Sequence, residues 1–453
     1  MSDLIINILR SFGVNRAIGF GVLTRFWSVL AGPLTIYLIA SRFSKVQQGY
    51  YYTFGSLLAL QIFFELGLLI VLAQFAAHEF AFLSWGKKGE ITGSEAHRDR
   101  FYDLLGKGFK WYTVSAILLV VLLIPAGLYF FAQSPDNVVD FTWRLPWILA
   151  VIGVGCNLLL IPFYAVITGS GDVASINRRE MVGGIVGSLI SWLVIACGGG
   201  LYALPAVTSG TIIVGVVYLL RSKPRLVATA LSHAFGSIRP CHTIPWWSEV
   251  WPMQWKIALS WVSGYFIYQL FTPILFKFHG PVVAGQMGMT LTVVTVVQGI
   301  AMMWLNTRSP EFGKLIANKN WQALDASFNQ ILKQAMIVSV ILSGSAVLVI
   351  AALQFYTTIG TRFLSVMHVI IFLIAVCSNV VTASWATYMR AHKKESMLSV
   401  SVINALLVGA STFFLGIKYS SMGMAVGYCV ITLLFVMPTT YAVFKNFKRH
   451  FQI

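Results

Sequence analysis

Apolar positions run together for long stretches in this chain, and the polar residues collect in short segments between them. A membrane-spanning helix needs about 20 predominantly apolar residues. Twelve runs reach that length: roughly 17–41, 50–76, 111–132, 145–168, 181–198, 202–220, 257–276, 283–305, 331–353, 364–389, 397–417 and 422–444. From Met181 to Leu220 there is no charged residue, a stretch too long for one crossing, and Cys197-Gly198-Gly199-Gly200 predicts a hairpin within it. Lys277, His279, Gly280 and Pro281 interrupt the apolar pattern between the seventh and eighth runs. Ahead of the first run, Leu4, Ile5, Ile8, Leu9 and Phe12 fall at helical spacing and predict an amphipathic lead-in lying on the membrane surface. The fold class expected is an all-α polytopic membrane protein of about twelve transmembrane helices.

Composition agrees. Of 453 residues, 57% are hydrophobic and 10% charged, whereas about a quarter are charged in an average soluble protein. The 32 Lys+Arg against 15 Asp+Glu give a net charge of +17, which on a soluble chain would point to nucleic acid. Here position gives another reading. With the N-terminus cytoplasmic, 25 of the 32 basic residues fall in inner segments, among them Arg178, Arg179, Lys256 and Arg308. Outside fall Arg42, Lys45, Arg144, Lys277, Arg362 and Lys418, and Arg25 alone lies within a span. Basic residues concentrate on the cytoplasmic side of membrane proteins, so both termini are expected inside and no nucleic-acid partner is expected. The five cysteines show neither metal-ligand spacing nor a disulfide framework. The first apolar run is longer than a signal-peptide core and contains Arg25, so it is expected to remain as a helix.

The outer connections are short, none above about twelve residues, and leave no room for a folded catalytic domain. No phosphate-binding G-x-x-x-x-G-K-[ST] loop, H-E-x-x-H or G-x-S-x-G occurs. The chain reads as a transporter rather than an enzyme. A faint internal repeat supports this: Ser44-Lys45-Val46-Gln47-Gln48-Gly49 precedes the second run as Gly280-Pro281-Val282-Val283-Ala284-Gly285 precedes the eighth. Gly171-Asp172 through Arg178-Arg179 opens the fifth run, as His392-Lys393-Lys394-Glu395 opens the eleventh. Two parallel six-helix halves follow, with a substrate path at their interface. The expected division is 1–220 as one lobe, 221–256 as a cytoplasmic linker, and 257–453 as the second lobe with a basic tail.

Three stretches resemble the multidrug/oligosaccharidyl-lipid/polysaccharide exporter superfamily, in its O-antigen or capsule flippase branch. The first is Ser41-Arg42-Phe43-Ser44 through Gln48-Gly49-Tyr50-Tyr51, with Glu65-Leu66-Gly67-Leu68 and Gln74-Phe75-Ala76. The second is Trp251-Pro252 through Trp261, with Ser263-Gly264-Tyr265-Phe266 and Gly280 through Gln286. The third is Arg308-Ser309-Pro310-Glu311-Phe312-Gly313 with Asp325 and Phe328. The resemblance implies two six-helix lobes flanking a central cavity that opens alternately to each side of the bacterial inner membrane. It implies a polyprenyl-diphosphate-linked oligosaccharide as substrate, an O-antigen, capsule or exopolysaccharide unit whose head occupies the cavity while its lipid tail stays in the bilayer. Polysaccharide polymerase machinery and membrane lipids are the partners it implies. No cofactor is expected, with a proton or sodium gradient as the energy source.

Arg25 is the sharpest candidate, because an intramembrane arginine costs several kcal/mol unless it is paired or faces water. Its planar donors suit a diphosphate, and the resemblance places basic residues in this first helix. A structural ion pair with Glu65 is the competing expectation, since at 1.5 Å rise per residue their depths agree within about 5 Å. Glu65, the only acid in mid-membrane by sequence, would serve as that partner or as a proton-coupling site. In the seventh run, Trp261, Tyr265, Tyr268, Gln269 and Thr272 share one helical face, and aromatic rings beside hydrogen-bonding groups suit sugars. Membrane-interface anchoring or helix packing would explain the same face. Gln298 joins them as a substrate-binding candidate, with Gln286, Thr290, Asn379, Thr382 and Asn404 as further cavity candidates. Arg308 and Lys256, at inner helix ends, could meet the phosphate as it arrives. Two rival classes are an antiporter of drugs or cations from the same superfamily, which would call for intramembrane carboxylates, and a polytopic polysaccharide polymerase, which would call for a long charged outer loop.

Overall fold

Each of the twelve apolar runs falls on helix in the computed structural model, which describes residues 16–133, 141–236, 241–392 and 397–451. The lead-in expected over residues 1–15 lies outside them, as do Lys393 and Lys394 of the second repeat. Among the described residues ten helices are long and apolar enough to cross a membrane, and one bent pair adds another. The last of the ten, Leu398–Arg449, has 52 residues, more than twice what one crossing needs. Its first helix reverses at Ser420 (φ 55°, ψ −146°), and Ser411 and Leu415 face Gly427 and Gly423 across the reversal. Side chains that pair with a constant sum of residue numbers define an antiparallel hairpin, so the eleventh and twelfth runs are its two arms.

In the order used below, α1 is Arg16–Arg42, α2 Lys45–Leu58, α3 Ile62–Glu65 and α4 Leu68–Phe80. A short hairpin follows, β1 (Leu83–Trp85) with β2 (Ile91–Gly93), paired antiparallel with Ser84 opposite Thr92. Then come α5 Glu95–Ala132, α6 Arg144–Leu158, α7 Ile161–Gly169, α8 Val173–Ala196, α9 Ala203–Ser222 and α10 Pro224–Phe235. The later helices are α11 Trp251–Tyr268, α12 Phe271–His279, α13 Pro281–Ala317, α14 Trp321–Tyr356, α15 Val366–Ala391, α16 Leu398–Ile431 and α17 Met437–Phe451.

Exposure along the helices is the inverse of a soluble bundle. On α14, Ile337, Val340, Ile341 and Leu348 are exposed while Ser339 and Ser343 are buried. On α5, Val114, Ile117, Leu118, Val121 and Leu122 face outward, with Leu119 and Leu123 packed inside. A helix apolar on both faces belongs in hydrocarbon, and this is a multi-pass membrane protein. The second crossing is broken, its two parts bent by 42°. Leu66 (φ 51°) and Gly67 (φ 65°) both adopt the left-handed conformation there, which ends α3 directly after Glu65. Glycine suits the second position because it tolerates that backbone and has no Cβ to push into Ile257.

The chain separates into two compact units. One comprises Met1–Leu38, Leu58–Ala132 and Asp140–Trp261, the other Ile39–Leu57, Gln133–Val139 and Val262–Ile453. This differs from the division expected by sequence in two places. The described residues of 221–256, expected as a cytoplasmic linker between lobes, fall in the first unit. The Asp103 carboxylate on α5 accepts from the Ile244 amide at 2.7 Å and from Lys107 Nζ at 2.7 Å, and Lys107 donates to the Ile244 carbonyl at 2.7 Å, which ties this segment to the first unit. Conversely, residues 39–57 belong to the second unit. There Gln48 Nε2 donates to the carbonyls of Gly285 (2.9 Å) and Arg362 (3.0 Å), and Arg362 Nη2 donates to the Phe43 carbonyl at 2.6 Å. The two glycines that end the repeated segments meet here: a Cβ on Gly285 would lie 2.8 Å from the Gly49 nitrogen, and one on Gly49 would strike the Pro281 carbonyl.

Candidate functional site

The first unit carries an open-sided cavity of about 810 Å³ among α4, α6, α7, α8 and α9. Its polar lining comprises Gln74, Asn157, Tyr164, Asn177, Arg179 and Glu180, with Thr168 and Thr211. The local chain explains how charges reach it. After α7 the backbone turns at Gly171 (φ 86°), and Asp172 precedes α8, accepting from Ser175 Oγ at 2.6 Å. An acid suits a helix N-terminus, where the macrodipole is positive. Helix α8 therefore begins at Val173, eight residues ahead of the uncharged run, and carries Arg179 and Glu180 nearly two turns into the helix.

Arg179 sits over an aromatic ring, its guanidinium carbon 3.9 Å from the Tyr164 centroid. Gly215 on α9 makes room, because a Cβ there would strike the Tyr164 hydroxyl and lie 3.3 Å from Arg179 Nη2. Arg179 Nε is buried without a hydrogen-bond acceptor. Among the described residues neither Arg179 nor Glu180 belongs to an ion pair, whereas Asp172 pairs with Lys223 at 3.4 Å. The same Lys223 sits 3.5 Å over the Trp85 ring, and Trp85 Nε1 donates to Ser170 Oγ at 3.0 Å, so the β1–β2 hairpin is latched over the α7–α8 turn beside the cavity. Burial pushes the Lys223 ammonium pKa below its ordinary value, with Asp172 opposing that shift.

The residues singled out by sequence are distributed differently. Arg25 is exposed on α1 and, among the described residues, makes no ion pair. Gly21, one turn earlier on the same face, approaches Asn177 of the cavity wall, where an added Cβ would lie 3.4 Å from Nδ2. Helix α1 is held to α8 by Trp192 Nε1 donating to Thr35 Oγ1 at 2.9 Å. Glu65 is buried beside Tyr112 of α5, so the expected Arg25–Glu65 pair does not form: one side chain faces outward and the other into the unit.

The aromatic face of the seventh run is interrupted. Helix α11 stops at Tyr268 and α12 starts at Phe271, so Thr272 lies on a separate helix, buried. Trp261 is half-buried and Tyr265 buried; Gln269 is half-buried in the turn, and the Tyr268 side chain lies outside the described residues. Gln298 is half-buried and Arg308 exposed on α13. None of these lines the cavity of the first unit. Several polar candidates of the second unit serve its own packing. Gln286 donates to the Thr361 carbonyl (2.9 Å), Thr290 Oγ1 accepts from the Leu364 amide (3.1 Å), and Asn379 donates to the Tyr428 hydroxyl (2.7 Å). Lys256 is exposed, 5.9 Å over Trp255, and Asn404 Oδ1 is buried without a hydrogen-bond partner.

No family model matches the sequence, and no curated protein does. Solved structures do. The lipid II flippase MurJ in an inward closed conformation superposes with a TM-score of 0.65 at 12% identity, over 95% of this chain and 87% of that one. The MATE multidrug transporter DinF-BH gives 0.58 at 12%, over 99% and 97%. An inward-facing multidrug resistance MATE family transporter of the MOP superfamily gives 0.56 at 10%, over 93% and 99%. Its structural neighbours are thus transporters of the MOP superfamily, and the all-α polytopic fold is theirs. At such identities the likeness extends to the fold, and the cavity must be read on its own chemistry.

Proposed function

We propose that this protein is a flippase that moves polyprenyl-diphosphate-linked oligosaccharide across the bacterial inner membrane by alternating access, with both termini cytoplasmic. The observation that carries the reading is the polar part of the first unit's cavity lining: amides, hydroxyls, an aromatic ring, a carboxylate and an arginine, the two charged groups without an ionic partner among the described residues, set among apolar side chains of the membrane helices. Its volume lies in the range of about 300–1,000 Å³ common to ligand sites, suited to a sugar head rather than a polyprenyl chain. An arginine left without a counter-ion within a span is costly unless water or an anion reaches it. A phosphorylated head answers that need at Arg179, whereas an organic cation would answer only the charge of Glu180. For Arg25, exposed on α1 one turn from Gly21, contact with the second phosphate is part of the proposal. A fold shared with a lipid II flippase is compatible with such a cargo.

The test is the sidedness of lipid-linked sugars in cells lacking the gene. Accumulation on the cytoplasmic leaflet, relieved by the wild-type chain, is expected. Unchanged glycolipids together with altered drug sensitivity would instead favour antiport of cations. An outward-facing build-up of single repeat units would favour the polymerase.

A further inference from the structure

Adjacent opposite charges that face one cavity usually neutralise each other, and Arg179 and Glu180 do not. Both line the cavity, and among the described residues neither forms an ion pair. The guanidinium carbon of Arg179 sits over the Tyr164 ring, 3.9 Å from its centroid. What remains open is its edge, where the N–H donors lie in plane and can bind two oxygens side by side. Nε, one of those donors, is buried with no acceptor. The missing partner is therefore a planar or tetrahedral oxyanion approaching from the cavity. Glu180 has the opposite deficiency. It is exposed, and an ionised carboxylate only accepts. A second anion is repelled there, but hydroxyl groups are welcome.

We propose that this pair reads the junction between phosphate and first sugar in the substrate, Arg179 taking phosphate oxygens while Glu180 accepts hydroxyls of the adjoining ring. The amides of Asn157 and Asn177 and the hydroxyl of Thr211 lie around the same space and complete the set of sugar partners. Tyr164 and Gly215 are positioning residues: the ring fixes the guanidinium plane, and the absent side chain at 215 admits both groups. The ligand class is a glycosyl phosphate, and neither a bare phosphate nor a bare glycoside satisfies both residues. This assignment rests on the flippase reading for its cargo, but its binding chemistry can be measured apart from transport.

The purified full chain in lipid nanodiscs would be titrated with three probes: farnesyl-diphosphate-linked N-acetylglucosamine, farnesyl diphosphate, and the farnesyl glycoside without phosphate. The wild type is expected to bind the first at least tenfold more tightly than either of the others. Arg179→Ala removes the preference over the phosphate-free glycoside and Arg179→Lys keeps part of it. Glu180→Ala removes the preference over farnesyl diphosphate, while Glu180→Gln, which still accepts, keeps most of it. Should the alanine variants unfold, Arg179→Met and Glu180→Leu, closer in volume and without a donor or acceptor for the ligand, carry the same contrast. Equal affinity of the wild type for all three probes, or preferences untouched by the Arg179 and Glu180 substitutions, would overturn the assignment. If the probe pattern holds but cells lacking the gene show no leaflet imbalance, flipping falls and the site stands. If the imbalance appears while the variants bind normally, the site falls and flipping stands.

Discussion

The cavity wall of the first unit and the packed interior of the second use their polar groups differently. In the second, polar side chains are spent on one another: Gln48 and Arg362 fasten residues 39–57, Asn379 holds Tyr428, and Asp325 takes both the Tyr388 hydroxyl (2.9 Å) and Lys448 (2.7 Å) inside a cluster of Phe312, Phe328 and Phe444. In the first, the groups around the cavity are left open: among the described residues its arginine lacks an ionic partner and its carboxylate makes no pair. A charge in a membrane helix is costly unless water or a partner reaches it, which is the ground for proposing a ligand at this cavity. Mutations should therefore separate, with transport lost in the first unit and stability lost in the second.

The largest effect is expected at the cavity. Arg179→Ala should abolish transport, since a hydrogen bond to a charged group is worth about 1.5–3 kcal/mol and the guanidinium would supply more than one to the phosphate, while thermal unfolding stays near wild type. Flipping assays and unfolding curves on the same preparation measure both, and a lowered melting temperature with flipping intact would invert the comparison. Arg25→Ala should also eliminate transport with the protein still reaching the membrane. Full activity at normal expression would remove Arg25 from the mechanism.

In the second unit, Gly49→Val drives a side chain into the Pro281 carbonyl. Overpacking of this kind costs about 1–3 kcal/mol, visible as a lower unfolding temperature, and substrate affinity should not move. Gln48→Ala removes the two hydrogen bonds it donates, and a typical net value near 1 kcal/mol for each predicts a smaller loss of the same sort. Smallest is Tyr428→Phe, which frees the amide of Asn379. Interhelical hydrogen bonds in membranes average about 0.6 kcal/mol, so unfolding should shift slightly and flipping not at all.

The crossings were legible in the sequence because hydrocarbon demands long apolar runs, and even the twofold nature of 397–444 showed in its length. The reversal itself, at Ser420, carried no Gly or Pro to announce it. Arg179 escaped notice because it stands before an uncharged run and reads as a loop residue marking the cytoplasmic side. Only the start of α8 at Val173, set by Gly171 and Asp172, places it in a helix wall. The signal that was available is an Arg-Glu pair within two turns of a Gly-Asp helix start. Residues 39–57 read as part of the first lobe because their partners, Gly285 and Arg362, are more than 200 positions away in sequence. Arg25 was conspicuous for the opposite reason, being a lone charge in an apolar run, yet the partner expected for it, Glu65, is turned toward Tyr112 instead.

The central claim is movement of a phosphorylated glycolipid between leaflets, and reconstitution measures it directly. Proteoliposomes carrying fluorescently labelled farnesyl-diphosphate-linked N-acetylglucosamine would be followed by the fraction of label reachable by an impermeant quencher. The wild type is predicted to bring label from the inner leaflet within reach over time, and the Arg179→Ala protein, equally incorporated, to leave it where it was. A wild-type protein that leaves the inner-leaflet label protected would contradict the account.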